Sequence, residues 1–342
     1  MASSSFGIDF GEHYIRVADA QCNNGKFELS TIGEEQALSN FFSDDTEKTI
    51  EMQADIVGKL CKDLKISKRG VNAVIPDAFC FSQVMEFATL NQKELLSAVK
   101  YQADQFIPLP IDQVIFDLEV VKENSTTKKN TILIIASPKK IVERVEKTIE
   151  IAGLIPNSLE SELSSIVRFF SSVAPYTEAQ PSSSLVVNFG YSTTSLYLIG
   201  MPGGVITELR SVKTGFDLFI KELKLNLELA DTKALELLSS IGFEKNGTYD
   251  LAAYVGPLLR DLMNEIGKFV IIAKEKHNLP VKKIYLCNHD NAVHGMDKKF
   301  AELLQLPVES LLMRDVLVNN PISQSYANRM SSFIAAINAS NR

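Results

Sequence analysis

Apolar and polar positions along this chain alternate between short strand-like runs, longer stripes at helical spacing, and polar breaks. The first runs, "FGIDF" at 6–10 and "YIRVADA" at 14–20, predict two strands joined by a tight turn at Gly11. Residues 185–199, "LVVNFGYSTTSLYLI", restate the same run, turn and run, with Asn188 where the first copy has Asp9. The offset from residue 9 to residue 188 is 179 positions, too long for a solenoid repeat, and predicts a duplicated two-lobed α/β fold. The polar segment 174–184, "APYTEAQPSSS", sustains neither period and predicts a linker. It divides the chain into a first lobe over 1–180 and a second over 181–342.

Between the two copies lies a small α+β unit over about 78–154. "FCFSQVMEF" reads as a strand, and 91–106 as a helix with Asn91 at the N-cap, Glu94 completing a capping box, and Leu95, Val99 and Phe106 on one face. Pro108 and Pro110 end it. In "QVIFDLEVV" the residues Val114, Phe116, Leu118 and Val120 alternate as in a half-buried strand, and a polar turn over 122–130 leads to "TILIIAS".

The second half is helix-rich from about 225 to 278. A helix begins after Gly215, and another opens at Pro257 with an apolar stripe of Leu259, Leu262, Ile266, Phe269 and Ala273. A strand "KKIYLC", an irregular "NHDNAVHG", a helix over 296–304, "LPVESL" and a closing helix around 326–337 complete the pattern.

At 342 residues, with 45% hydrophobic and 23% charged residues, the chain is long enough for two packed cores. A net charge of −7 argues against a nucleic-acid or anionic-membrane binder, both of which need a basic footprint. The four scattered cysteines make no C-x-x-C pair, which predicts a reducing cytoplasm. The start resembles no signal peptide, and apolar runs such as "ILIIA" are too short to insert directly into a membrane.

Glycine turns between strands let backbone amides approach a ligand closely, and phosphate is their usual guest, although a lone D-F-G or N-F-G is more often a plain hairpin. Duplication at lobe spacing favours the phosphate alternative. The four histidines have no metal-binding spacing, and His289 beside Asp290 reads as loop polarity because no nucleophile accompanies it. Neither a catalytic residue nor a protein-held metal is expected.

Three longer stretches carry a resemblance: "AVIPDAFCFSQVMEF", "LLSAVKYQADQFIPLPIDQVIFDLEVV" with its Pro-x-Pro-x-Asp, and "IAGLIPNSLESELSSIVRFF". They resemble the type IV pilus assembly PilM family of the actin-like ATPase superfamily. The resemblance implies a two-lobed actin-like, duplicated ribonuclease-H-like fold, with an inserted α+β subdomain in the first lobe and a helical subdomain over about 225–280. It implies a nucleotide cleft in which Asp9 and Gly11 form the first phosphate turn and Asn188, Gly190, Thr193 and Thr194 the second. Glu162 would stand between the lobes, Gly215 and Asn288 would border the nucleotide, and Glu265 with Lys268 would flank the nucleoside.

Three departures modify that expectation. Glu12 and His13 follow Gly11 where small hydroxyl residues are usual, and a carboxylate repels phosphate. Asn188 stands for an aspartate near the metal, and Cys287 to Asn291 replace a glycine-rich adenosine motif. ATP with Mg²⁺ is therefore expected to bind weakly at most, with negligible hydrolysis and no firmly held cofactor. The function implied is a cytoplasmic scaffold that docks the N-terminal cytoplasmic peptide of a PilN-like inner-membrane protein, works among other pilus assembly proteins and reaches the membrane through its partner. The alternatives are an active actin-like ATPase, an FtsA-like filament former, which would carry a C-terminal amphipathic anchor, and a sugar kinase, which would carry a carboxylate base.

Overall fold

The computed structural model describes residues 5–103, 105–124, 127–177, 182–201, 203–244, 250–289, 292–311, 313 and 316–342. The first run–turn–run pattern forms β1 (Ser5–Phe10) and β2 (Tyr14–Asn23), followed by β3 (Lys26–Gln36), α1 (Glu47–Asp63) and β4 (Gly70–Ile75). The insert contributes β5 (Phe81–Ala88), α2 (Gln92–Ala103), β6 (Val114–Asn124) and β7 (Lys129–Pro138). The chain then returns through α3 (Lys139–Ile151), β8 (Ile155–Ser161) and α4 (Glu162–Thr177). The second half builds β9 (Ser182–Phe189), β10 (Thr194–Met201), β11 (Val205–Val212), α5 (Phe216–Leu227), α6 (Asp231–Ser240), α7 (Leu251–Tyr254) and α8 (Gly256–Glu275). It closes with β12 (Val281–Cys287), α9 (Met296–Leu304), β13 (Val308–Ser310), α10 (Pro321–Ser325) and α11 (Ile334–Ala339).

Among the described residues the strands form two five-stranded sheets, ordered β3-β2-β1-β4-β8 and β11-β10-β9-β12-β13. Each has an antiparallel meander followed by two parallel additions, so the duplication seen in the sequence is a duplication of topology. The α4 helix lies between the sheets and buries Leu163, Ile166, Phe169 and Phe170 against Ala18 and Phe27 of the first and Val186 and Ile199 of the second. The outer face of the first sheet is covered by α1 and α3, and that of the second by α5, α6, α8 and α9. The expected α8 stripe of Leu259, Leu262, Ile266, Phe269 and Ala273 is buried there, with Met263 beside it.

The insert is a three-stranded sheet in the order β5-β7-β6, with α2 against it. Its capping box forms as expected: Glu94 N–H donates to Asn91 Oδ1 at 3.0 Å, and Asn91 N–H donates to Glu94 Oε2 at 3.1 Å. The alternation in β6 holds through Leu118 and then fails. A bulge between Val120 and Lys122 advances the register, leaving Val120 exposed and packing Val121 toward the inter-sheet core.

Two expected boundaries move. The segment 174–184 is not all linker, because α4 runs to Thr177 and β9 starts at Ser182; residues 178–181 lie outside the described ones. The closing helix expected around 326–337 is shorter, since Met330–Phe333 form a 3-10 turn and α11 starts only at Ile334; the separate short α10, opened by the Asn320–Ser323 capping box, precedes it. This last helix returns to the first sheet. Its Ala336 carbonyl lies where a side chain on Gly7 would be, 1.9 Å from an ideal Cβ, so only glycine lets β1 and α11 approach so closely.

Candidate functional site

The parallel strands of both sheets end at one cleft, the place where open α/β sheets present their ligand-facing groups. Asp9 lies near the end of β1, Asp77 just past β4, Glu162 just past β8, Asn188 near the end of β9 and Asn288 just past β12. The two turns face each other across it. Gly11 and Gly190 are equivalent even in detail: an added Cβ would meet the carbonyl three residues on, Tyr14 O at 2.6 Å in one and Thr193 O at 2.7 Å in the other.

Five of these side chains and backbones close a ring of hydrogen bonds that joins the halves. Asn288 Nδ2 donates to Asn188 Oδ1 at 2.6 Å, and Asn188 Nδ2 to the Tyr197 hydroxyl at 3.3 Å. Tyr197 in turn donates to Asp77 Oδ2. Asp77 N–H donates to Glu162 Oε2 at 3.0 Å, and Asn288 Nδ2 also reaches Glu162 Oε1 at 3.3 Å. Asp77 Oδ1 meanwhile accepts from Leu163 N–H at 3.0 Å, at the start of α4. Burial raises Glu162 well above the ordinary carboxylate range, with the Asp77 and Asp9 charges adding to it, and burial likewise raises Asp77. The ring thus favours neutral carboxyls. Among the described residues no group of three or more His, Cys, Asp and Glu is arranged to hold a metal ion.

Asp9 is fully buried, and burial raises its pKa to about 6 against the opposing pull of Arg16. Arg16 Nη1 stands 3.5 Å away and Arg16 Nε donates to Glu34 at 3.2 Å. The Arg16–Asp9 contact is an ion pair too long to count as a well-formed hydrogen bond.

Between the turns, Glu12 lines the cleft and spans to the opposite turn. Its Oε2 accepts from both Ser192 N–H at 3.1 Å and Ser192 Oγ at 2.9 Å. The adjacent His13 ring stacks on Tyr191 with centroids 5.1 Å apart and planes within 2°, and burial lowers its pKa. The cleft that remains has a volume of about 60 Å³, lined by Gly11, Gly190, Thr193, Glu162 and Asn288 among others. Pockets for drug-sized ligands occupy roughly 300–1,000 Å³.

Of the residues singled out in the sequence, Asp9, Gly11, Glu162, Asn188, Gly190, Thr193 and Asn288 converge here. Thr194 points the other way and donates to Thr214 O at 2.6 Å, because successive strand residues face opposite sides. Gly215 packs on the second turn, its would-be Cβ 2.2 Å from Tyr191 O, so its smallness serves protein contact. Glu265 pairs with both Lys268 and Arg210 on the surface of α8 and β11, and neither Glu265 nor Lys268 lines the cleft. In and beside the irregular stretch, Cys287 is in the core, His289 is buried against Ser310 Oγ at 2.7 Å, and Asn288 and Ala292 line the cleft; Asp290 and Asn291 lie outside the described residues. Sequence reasoning missed Asp77, Tyr197 and Arg16. A carboxylate directly after the buried run "VNAVIP" was a usable signal for Asp77, since strand ends of that kind face the crevice.

A second concavity, about 530 Å³, lies between the insert sheet and the first lobe. Phe116, Leu118, Ile135, Leu159 and Val167 give it apolar walls, while Arg168 pairs with Glu160 at its floor with both contacts at 2.5 Å.

The solved structure of a PilM-PilN type IV pilus biogenesis complex superposes over 99% of this chain and 98% of that one, with a TM-score of 0.82 at 16% identity. The ethanolamine utilization protein EutJ from Carboxydothermus hydrogenoformans superposes over 98% and 88%, with a TM-score of 0.51 at 13% identity. The fold is accordingly the actin-like one that the resemblance implied. The profile of the family described as type IV pilus assembly protein PilM matches residues 7–337, so the chain belongs to the PilM family of type IV pilus assembly proteins.

Proposed function

We propose that this protein is a cytoplasmic scaffold of a type IV pilus machine that docks the N-terminal cytoplasmic segment of a PilN-like inner-membrane protein in the groove between the first lobe and the insert. Membership of the PilM family and likeness to a PilM-PilN complex support the assembly role and the partner. The observation that carries the docking site is the groove itself, large enough for several side chains and apolar on both walls. An extended segment that orders on binding needs such walls together with nearby backbone partners. Among the described residues no helix is long and apolar enough to cross a membrane, which fits recruitment through a partner. Contacts with other pilus proteins would follow from the same role.

The residues present do not fit ATP with Mg²⁺ in the usual way. A cleft of about 60 Å³ with Glu12 across the second turn and Arg16 beside Asp9 supports weak or absent nucleotide binding and negligible hydrolysis. The docking reading is tested by titrating a fluorescent peptide of the cognate partner's N-terminus against the protein and against Ile115→Asp. Ile115 lines the groove and is half exposed, so the change leaves the core alone. Binding lost in the variant supports the groove; equal binding by both removes it.

A further inference from the structure

The second glycine turn offers an anion seat: the Ser192 N–H and hydroxyl point to one side, at a turn that carries the N-terminal end of the 12-residue α5. That end is tied to the turn, since Phe216 N–H donates to Gly190 O at 3.1 Å and Asp217 N–H to Tyr191 O at 2.9 Å. The seat is filled by Glu12, a carboxylate from the opposite turn.

We propose that Glu12 is an autoinhibitory latch: its carboxylate occupies the anion seat of the second turn and holds the cleft closed without a nucleotide. Three independent features of the geometry converge on this. The carboxylate reaches across from the first turn and accepts two hydrogen bonds from a single residue, a pairing that charge strengthens. His13 adds a parallel stack on Tyr191, with Phe216 edge-on to both rings, so two successive residues of one turn engage two successive residues of the other. The duplicated pattern also places Tyr191 and Ser192 at the positions equivalent to Glu12 and His13, so each turn presents its tip to the other's tip. A phosphoryl group could bind the second turn only by displacing Glu12, and would meet its negative charge in doing so.

The nearby charged groups are Asp217 and, on the other side, Arg16 beside His13 and the buried Glu162. Lys221, the cation nearest to Asp217, is paired with it at 2.7 Å and turned outward. Among the described residues Glu12 therefore has hydrogen-bond donors, rather than a counter-cation, as its partners, which makes the contact breakable by a competing anion.

The test uses the full chain as wild type, Glu12→Ala, Glu12→Gln and Ser192→Ala. Hydrogen exchange of the backbone amides over 190–193 is followed with strands β1 and β9 as internal folding controls, and MgATP binding is followed by calorimetry. Removing a hydrogen bond to a charged group should speed exchange at Ser192 about tenfold in Glu12→Ala. Glu12→Gln, whose amide oxygen still accepts, should fall between it and wild type, and Ser192→Ala should loosen the same segment. Glu12→Ala should also bind MgATP at least about tenfold more tightly than wild type, on the same energetic scale. Exchange in Glu12→Ala within twofold of wild type, or unchanged MgATP affinity with β1 and β9 intact, overturns the latch. Neither readout involves the partner peptide, so its failure leaves the docking reading untouched.

Discussion

Arg16 lies directly opposite Asp9 across the β1–β2 ladder, its Nη1 3.5 Å from a buried carboxylate that accepts no hydrogen bond among the described residues. In the second half the equivalent cross-strand pair is Asn188 opposite Ser195, which is neutral. The duplicated fold therefore has its buried charge pair on one side only.

That asymmetry predicts a pH dependence. Burial raises Asp9 from 3.8 to about 6, so the folded state holds the proton more tightly than the unfolded chain does. Its stabilising contribution is complete below about pH 4 and disappears as pH rises through about 6, amounting to about 3 kcal/mol. Asp77 and Glu162 are raised too and act in the same direction, and the Asp9 charge adds to the rise at Glu162, so Asp9→Asn removes Asp9's own contribution together with its part of that rise. Urea unfolding at pH 4, 5, 6 and 7.5 should give a flatter profile for the variant, and parallel profiles would contradict the assignment.

Asn188→Asp is expected to destabilise the protein and not to restore a working metal site. Asparagine both donates to Tyr197 and accepts from Asn288, whereas aspartate can only accept and adds a charge beside two raised carboxyls. Leaving such a charge buried and unpaired costs about 3 kcal/mol or more. Chemical denaturation measures it, and a loss below about 1 kcal/mol, the level of an ordinary hydrogen bond, would mean the ring is not held as described.

Two glycines should respond oppositely to alanine. At Gly7 the added methyl meets the Ala336 carbonyl at 1.9 Å and Ser340 N at 2.9 Å, both backbone, so Gly7→Ala should cost at least about 2 kcal/mol and free α11 for limited proteolysis. Gly267 sits inside α8 with open space around it, so Gly267→Ala should gain about 0.5–1 kcal/mol. Thermal melts of the two variants shifting in the same direction would refute the packing assigned to β1 and α11, or that assigned to α8.

Asn91→Ala removes half of the capping box of α2 and should cost the insert about 1 kcal/mol. Exchange at the first amides of α2 should rise while the ring at the main cleft stays protected. Acceleration spreading to β1 and β9 would show the insert and lobes unfolding as one unit.

What was readable along the chain was whatever depends on near neighbours in sequence. The repeat at 6–20 and 185–199 announced two equivalent turns because a strand, a glycine turn and a returning strand are local, and both sheets follow that pattern in topology. The Asn91–Glu94 box and the α8 stripe were legible for the same reason: capping spans three residues and amphipathicity follows a 3.6-residue period. The direction of Thr194 and the face taken by Val121 after the bulge depended instead on register. Glu12 is the clearest case. As a sequence feature it is a carboxylate beside a phosphate turn and reads as repulsive, but in three dimensions its partner is Ser192, 180 residues away. Only the packing of the two halves around α4 brings those tips together, because a side chain's electrostatic role is set by the donors it meets in the fold, and no local pattern encodes which distant donors those are.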